Sequence, residues 1–108
     1  MNLRDGLAGE PLVQVHFPQA LREKVGGQSR LQVGGRTVRD LIDALDARYP
    51  GFRFHVCYET GELRPFVNIF LNRENIRYLQ VLETPLSDGA ILHIFPSVAG
   101  GNHPLFNV

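Results

Sequence analysis

Four histidines, one cysteine and three glycine pairs are the residues of this 108-residue chain whose types invite chemistry. His16, His55, His93 and His103 lack the spacing of metal ligands on a loop or helix, so each is read as a surface or packing residue. Cys57 has His55 two positions away, but no histidine is arranged by sequence to take its proton. It is expected to be an inert, partly buried thiol. A lone cysteine excludes an internal disulfide framework and any cluster held by several thiolates of this chain. No glycine-rich phosphate loop lies between a strand and a helix, so no enzyme constellation is assembled. Gly26-Gly27 and Gly34-Gly35 look like turns, whereas Gly100-Gly101 stands beyond the last strand on the thin stem Pro96-Ser97-Val98-Ala99. Glycine has no Cβ, so such a tail can thread a narrow tunnel. The same residues also suit a frayed terminus.

The elements that must position this tail follow from periodicity. Leu12 to Phe17 alternates, with Val13, Val15 and Phe17 on one face and Gln14 and His16 on the other, which is a half-buried strand. Pro18 ends it. Leu21, Arg22 and Val25 lead to the Gly26-Gly27 turn, and Ser29 to Val33 gives a second strand closed by Gly34-Gly35. Thr37 with Asp40 resembles a capping box. Val38, Leu41, Ile42, Leu45 and Tyr49 keep helical spacing, with charges on the other side as a solvated face, until Pro50-Gly51 stops the helix.

Phe52 to Glu62 reads as irregular. Phe66 to Leu71 is a third strand, with Val67, Ile69 and Leu71 on one face and Asn68, Phe70 and Asn72 on the other. Asn72 to Asn75 is a turn, and Ile76 to Tyr78 a short returning strand. After Ser87-Asp88-Gly89, the last strand sets Leu92 and Ile94 on one side and Ile91, His93 and Phe95 on the other. The order β-β-α-β-(β)-β implies an α+β domain of the β-grasp kind, a mixed four- to five-stranded sheet with one main helix on one face. First and last strands then run parallel at the centre, and the third lies beside the last. That placement brings Phe70, Phe95, His93 and His16 together on the open face. They form a candidate interaction patch, unless the leader covers them.

Composition narrows the partners. Eleven basic residues balance eleven acidic ones, so no global field favours nucleic acid or an anionic membrane. No run approaches a membrane span or a signal peptide, and a cytoplasmic protein is expected.

The Leu-Arg-Glu segment at 21–23, the helix pattern at 37–45, Phe-Val-Asn-Ile-Phe-Leu-Asn at 66–72, Pro-Leu-Ser-Asp-Gly at 85–89 and Phe-Pro-Ser-Val-Ala-Gly-Gly at 95–101 together resemble the ubiquitin-like sulfur carriers of the ThiS/MoaD type. The Gly-Glu-Leu-Arg-Pro stretch before the third strand makes the chain most similar to the longer carriers of cysteine biosynthesis, with molybdopterin-type carriers next.

The resemblance implies a carrier that is a substrate and not an enzyme, with no permanently bound cofactor and no metal. An E1-like adenylyltransferase would bind the open face through Phe70, His93, Phe95 and Val98, and use ATP to adenylate the Gly101 carboxylate. Sulfur would then displace AMP to leave a thiocarboxylate on Gly101. A cysteine-synthase-like or molybdopterin-synthase-like enzyme would accept the sulfur. Ala99 and Gly100 would form the slim tail. The chain departs from the usual pattern by continuing past Gly101 with Asn102, so a zinc-dependent JAMM-type peptidase is expected to cut between Gly101 and Asn102. The alternative is an end that is never trimmed. The expected organisation is a flexible leader at 1–11, the carrier domain at 12–101 and a removable extension at 102–108. Two other functions stay open: a protein modifier joining the same glycine to lysines, and a β-grasp binding module without tail chemistry.

Overall fold

The alternation of Leu12–His16 forms strand β1, in which Val13 and Val15 are fully buried. Pro18 opens the helical turn α1 (Gln19–Arg22), which tightens into a 3-10 turn over Glu23–Val25 and ends at Gly26 in the left-handed conformation. Strand β2 (Arg30–Gly34) returns antiparallel to β1. The computed structural model describes residues 9–95.

Helix α2 (Val38–Arg48) begins where expected: Thr37 Oγ1 accepts from the Asp40 amide at 3.2 Å, meeting one of the unpaired first-turn donors. Val38, Leu41, Ile42 and Leu45 make its buried stripe, and Gly51, at φ +96°, follows the stop. Gly34-Gly35 is not a plain turn. Gly34 belongs to β2, and a Cβ on Gly35 would lie 2.9 Å from the Leu41 amide nitrogen, so this glycine lets sheet and helix approach closely.

The segment read as irregular contains a helical turn, α3 (Arg53–Val56), with its start fixed by Asp46 Oδ1 accepting from the Gly51 and Arg53 amides. The third strand is shorter than its apolar run: β3 covers Asn68–Leu71, and Phe66 lies outside it, 71% exposed. Asn72 and Arg73 both take positive φ, a two-residue hairpin turn of the primed kind, and Leu71 pairs with Glu74. The returning strand is therefore β4 (Glu74–Asn75). Ile76–Tyr78 is a 3-10 turn instead of a strand, because the Asn75 side chain accepts from the Arg77 amide and bends the backbone away.

A second 3-10 turn, Val81–Glu83, is organised by Thr84, the one buried polar residue in the described core. Its hydroxyl donates to the Val81 carbonyl at 2.7 Å and accepts from the Gln80 amide, while its own carbonyl accepts from the Val38 amide at the head of α2. Strand β5 (Ile91–Phe95) completes a sheet of order β2-β1-β5-β3-β4, with β5 parallel to β1 and antiparallel to β3. This is the β-grasp arrangement. Val13, Val15, Val33, Ile69, Leu92 and Ile94 face α2 in a single core, and the described elements leave the other sheet face open.

Candidate functional site

Register decides what the open face presents. His16 lies opposite Arg30 on one side and His93 on the other, and His93 lies opposite Phe70. Directly paired residues share a face, so Arg30, His16, His93 and Phe70 form one row across four strands. Asn75 extends it to β4. Phe95 stands one row nearer the end of β5, paired with Asn68, and Ile91 one row behind, beside Gln14.

The aromatic side chains in these rows touch. The Phe70 and Phe95 rings meet edge to face at 5.8 Å, and the His93 ring stacks on Phe95 at 6.0 Å with planes 5° apart. His16 and His93 lie 4.5 Å apart, tilted by 41°. Phe95 is 47% exposed and Ile91 38%, so the patch is apolar and open on its β5 side. Three residues predicted from sequence to bind a partner, Phe70, His93 and Phe95, are thus brought together, with His16 beside them. Val98, Ala99, Gly100, Gly101 and Asn102 lie outside the described residues.

The β1–β2 side has a different character. A cleft of about 430 Å³ runs past His16, Ser29, Arg30, His93 and Phe95, with Arg22 at its rim. Arg22 is held there by donating its Nε proton to the Phe17 carbonyl at 3.1 Å. His16 Nε2 is in hydrogen-bond contact with Gln14 Oε1 at 3.0 Å. Burial pushes the His16 imidazole below its ordinary value, and the neighbouring His93 and Arg30 push the same way. Arg22 and Arg30 were missed as site residues. The signal for Arg30 was the hairpin register, which pairs it with His16; for Arg22 it was the short distance after Pro18.

The remaining chemistry-bearing groups stay apart from this face. Cys57 is buried more completely than expected, and burial raises its thiol above the ordinary value, which keeps it protonated and unreactive. His55 is shifted down by burial, then by Lys24 and Arg64. Among the described residues no group of three or more His, Cys, Asp or Glu could hold a metal ion, and no helix is long and apolar enough to cross a membrane.

A sheet with an open aromatic face, followed by a Gly-Gly tail, can be set against known proteins. The sequence model of the ThiS family matches residues 15–101. The chain belongs to the ThiS family. Sulfur carrier protein CysO of Mycobacterium tuberculosis is 38% identical over 91 residues, a match covering 82% of this chain and 98% of that protein. Small archaeal modifier protein 3 of Haloferax volcanii is 35% identical over 92 residues, with the same shares covered. Among solved structures, the chain is similar to one in the crystal structure of the BexX/CysO complex of Amycolatopsis orientalis, at a TM-score of 0.76 and 36% identity, covering 82% of this chain and 99% of that one. The chain thus belongs with the family of ubiquitin-like sulfur carriers.

Proposed function

We propose that this protein carries sulfur on Gly101. The observation behind the reading is that the family match ends on Gly101, the second glycine of the terminal pair, while the chain goes on to Asn102. As long as Asn102 is attached, the Gly101 carbonyl is a peptide amide with no carboxylate to activate. Removal of residues 102–108, the work of a JAMM-type metallopeptidase, frees it. An E1-like enzyme seated on Phe70, His93 and Phe95 then joins the carboxylate to AMP from ATP, releasing pyrophosphate. Sulfide sulfur attacks the acyl carbon, AMP leaves, and a thiocarboxylate remains. Similarity to CysO favours an acceptor of the cysteine-synthase type.

Intact mass spectrometry tests the proposal. The chain ending at Gly101, incubated with an E1-like adenylyltransferase, ATP and a sulfur donor, should exchange one oxygen for one sulfur. The full chain should do so only when the peptidase is added. Sulfur uptake by a chain still carrying Asn102, or none by the trimmed chain, would overturn it.

A modifier role has its own support in the similarity to small archaeal modifier protein 3. Activation would be shared, and only the acceptor would differ, a lysine amine in place of sulfur. Lysine conjugates of the trimmed chain in cell extract would favour this reading.

A further inference from the structure

The open face is divided along its length. Phe70 and Phe95 make the β3–β5 side apolar, whereas Arg30, His16 and the rim residue Arg22 make the β1–β2 side cationic, and His93 sits on the boundary in contact with both His16 and Phe95. Among the described residues, no carboxylate lines the cleft on the cationic side. Arg22 and Arg30 form no ion pair among the described residues, although Arg39 and Arg53 elsewhere do.

A partner large enough to cover Phe95 also covers this neighbouring row. Burying a guanidinium and an imidazole under a protein surface without acceptors is costly, because each loses its hydration with nothing to replace it. Whatever seats on the face must therefore bring negative charge to its β1–β2 side. The chain's balanced charge and the absence of a basic stripe argue for a localised carboxylate instead of a polyphosphate backbone.

We infer that the cleft between His16, Arg30 and Arg22 receives an acidic side chain of the activating partner, and that docking draws a proton onto His16. The inference rests on the proposed carrier role. Among the described residues, the titratable and charged groups beside His16 are Arg30 from β2 and His93 from β5, with Arg22 of α1 lining the same cleft. Burial and the first two of these hold its imidazole below the ordinary value. A carboxylate set against the ring acts in the opposite direction and favours the charged form. The bound state therefore binds more protons than the free one, and affinity must rise as pH falls from about 8 towards about 6, while the partner's carboxylate stays ionised.

Isothermal titration of the full chain with the cognate E1-like adenylyltransferase, in two buffers of different ionisation enthalpy, reads both affinity and proton uptake. Each unit by which docking raises the His16 pKa gives up to about tenfold in affinity, so wild type should bind several-fold more tightly at about pH 6 than at about pH 8. His16→Gln should remove that dependence. Arg30→Ala, at an exposed position, should weaken binding and flatten its salt dependence with the fold intact by circular dichroism. Binding by wild type that is indifferent to pH and salt, or a pH trend surviving in His16→Gln, would refute the inference and leave the carrier reading standing. Absence of binding at every pH, by the chain ending at Gly101 as well as by the full chain, would instead refute the carrier reading and this inference with it. Self-association in sedimentation that Arg30→Ala abolishes would assign the cleft to a second copy and likewise overturn the inference.

Discussion

Phe95 offers the sharpest separation of docking from folding. It is 47% exposed, with the remainder packed on the Phe70 edge and the His93 ring. A phenylalanine side chain carries about 200 Å², so roughly 90 Å² is left for a partner to cover. At about 25 cal/mol per Å² that area is worth about 2 kcal/mol, or roughly thirtyfold in Kd. Truncation in Phe95→Ala also removes the intramolecular half, including one edge-to-face pair, and should destabilise the fold by about 2 kcal/mol. Against a typical stability of about 5–15 kcal/mol, the variant remains almost wholly folded, so its binding can be measured. Urea unfolding gives the first quantity and titration with the E1-like enzyme the second. Both losses are expected together. A variant destabilised as stated but binding within threefold of wild type would show that the partner sits elsewhere, and the docking face would have to be reassigned.

Three further outcomes follow from the packing. Arg77→Ala should lower stability by about 2 kcal/mol, roughly 8–16 °C in Tm, since one Nη2 lies 2.7, 3.1 and 2.6 Å from the carbonyls of Arg64, Pro65 and Val67 and charged hydrogen bonds of this kind are individually strong. The Arg64 carbonyl also accepts from the Val67 amide and the Pro65 carbonyl is exposed to water, so the part-buried Val67 carbonyl is the one stranded; an unchanged Tm in thermal melts would contradict this. Gly35→Ala should cost about 1–3 kcal/mol in urea unfolding, because its Cβ would press on the α2 backbone at Leu41, which cannot yield as a side-chain tip would. Acid should weaken the fold: His16 and His55 are both held below their ordinary value of 6.5, so the unfolded chain binds more protons, and stability present above that value is lost as pH falls through it towards the folded values. His16→Gln should reduce the slope of unfolding free energy against pH over that window.

The parts of the fold legible in sequence are those where one physical signal acted alone. Val13 and Val15 against Gln14 and His16, and Leu92 and Ile94 against Ile91 and His93, announce two half-buried strands by period alone, and both are buried as read. Thr37 and the stripe from Val38 to Leu45 define α2 in the same way. Misreadings arose where side chains redirected the backbone. Ile76 and Tyr78 have strand-forming types, but Asn75 captures the Arg77 amide and converts the run into a turn. Phe66 extends the apolar run before β3, yet β3 begins only at Asn68, with the Arg64, Pro65 and Val67 carbonyls just before it turned to the Arg77 guanidinium. The cationic half of the face escaped for another reason. A lone arginine on a strand carries no signal until register is known, and only the pairing of His16 with Arg30 on one side and His93 on the other assembles the row.

The order of the strands ties the docking face to the tail. Because β5 is central, Phe95, the most exposed aromatic in the rows of the open face, is also the last described residue of that strand. Six residues carry the chain on to Gly101, and even a fully extended backbone spans at most about 3.3–3.6 Å per residue, so the carbonyl proposed to react stays within roughly 20 Å of the Phe95 contact. Under the proposed carrier role, an activating enzyme would have to hold its nucleotide inside that radius of the site that receives Phe95. Under the same proposal, side chains on the stem limit how narrow the path between the two can be, and the small residues Ala99, Gly100 and Gly101 suit a slim one.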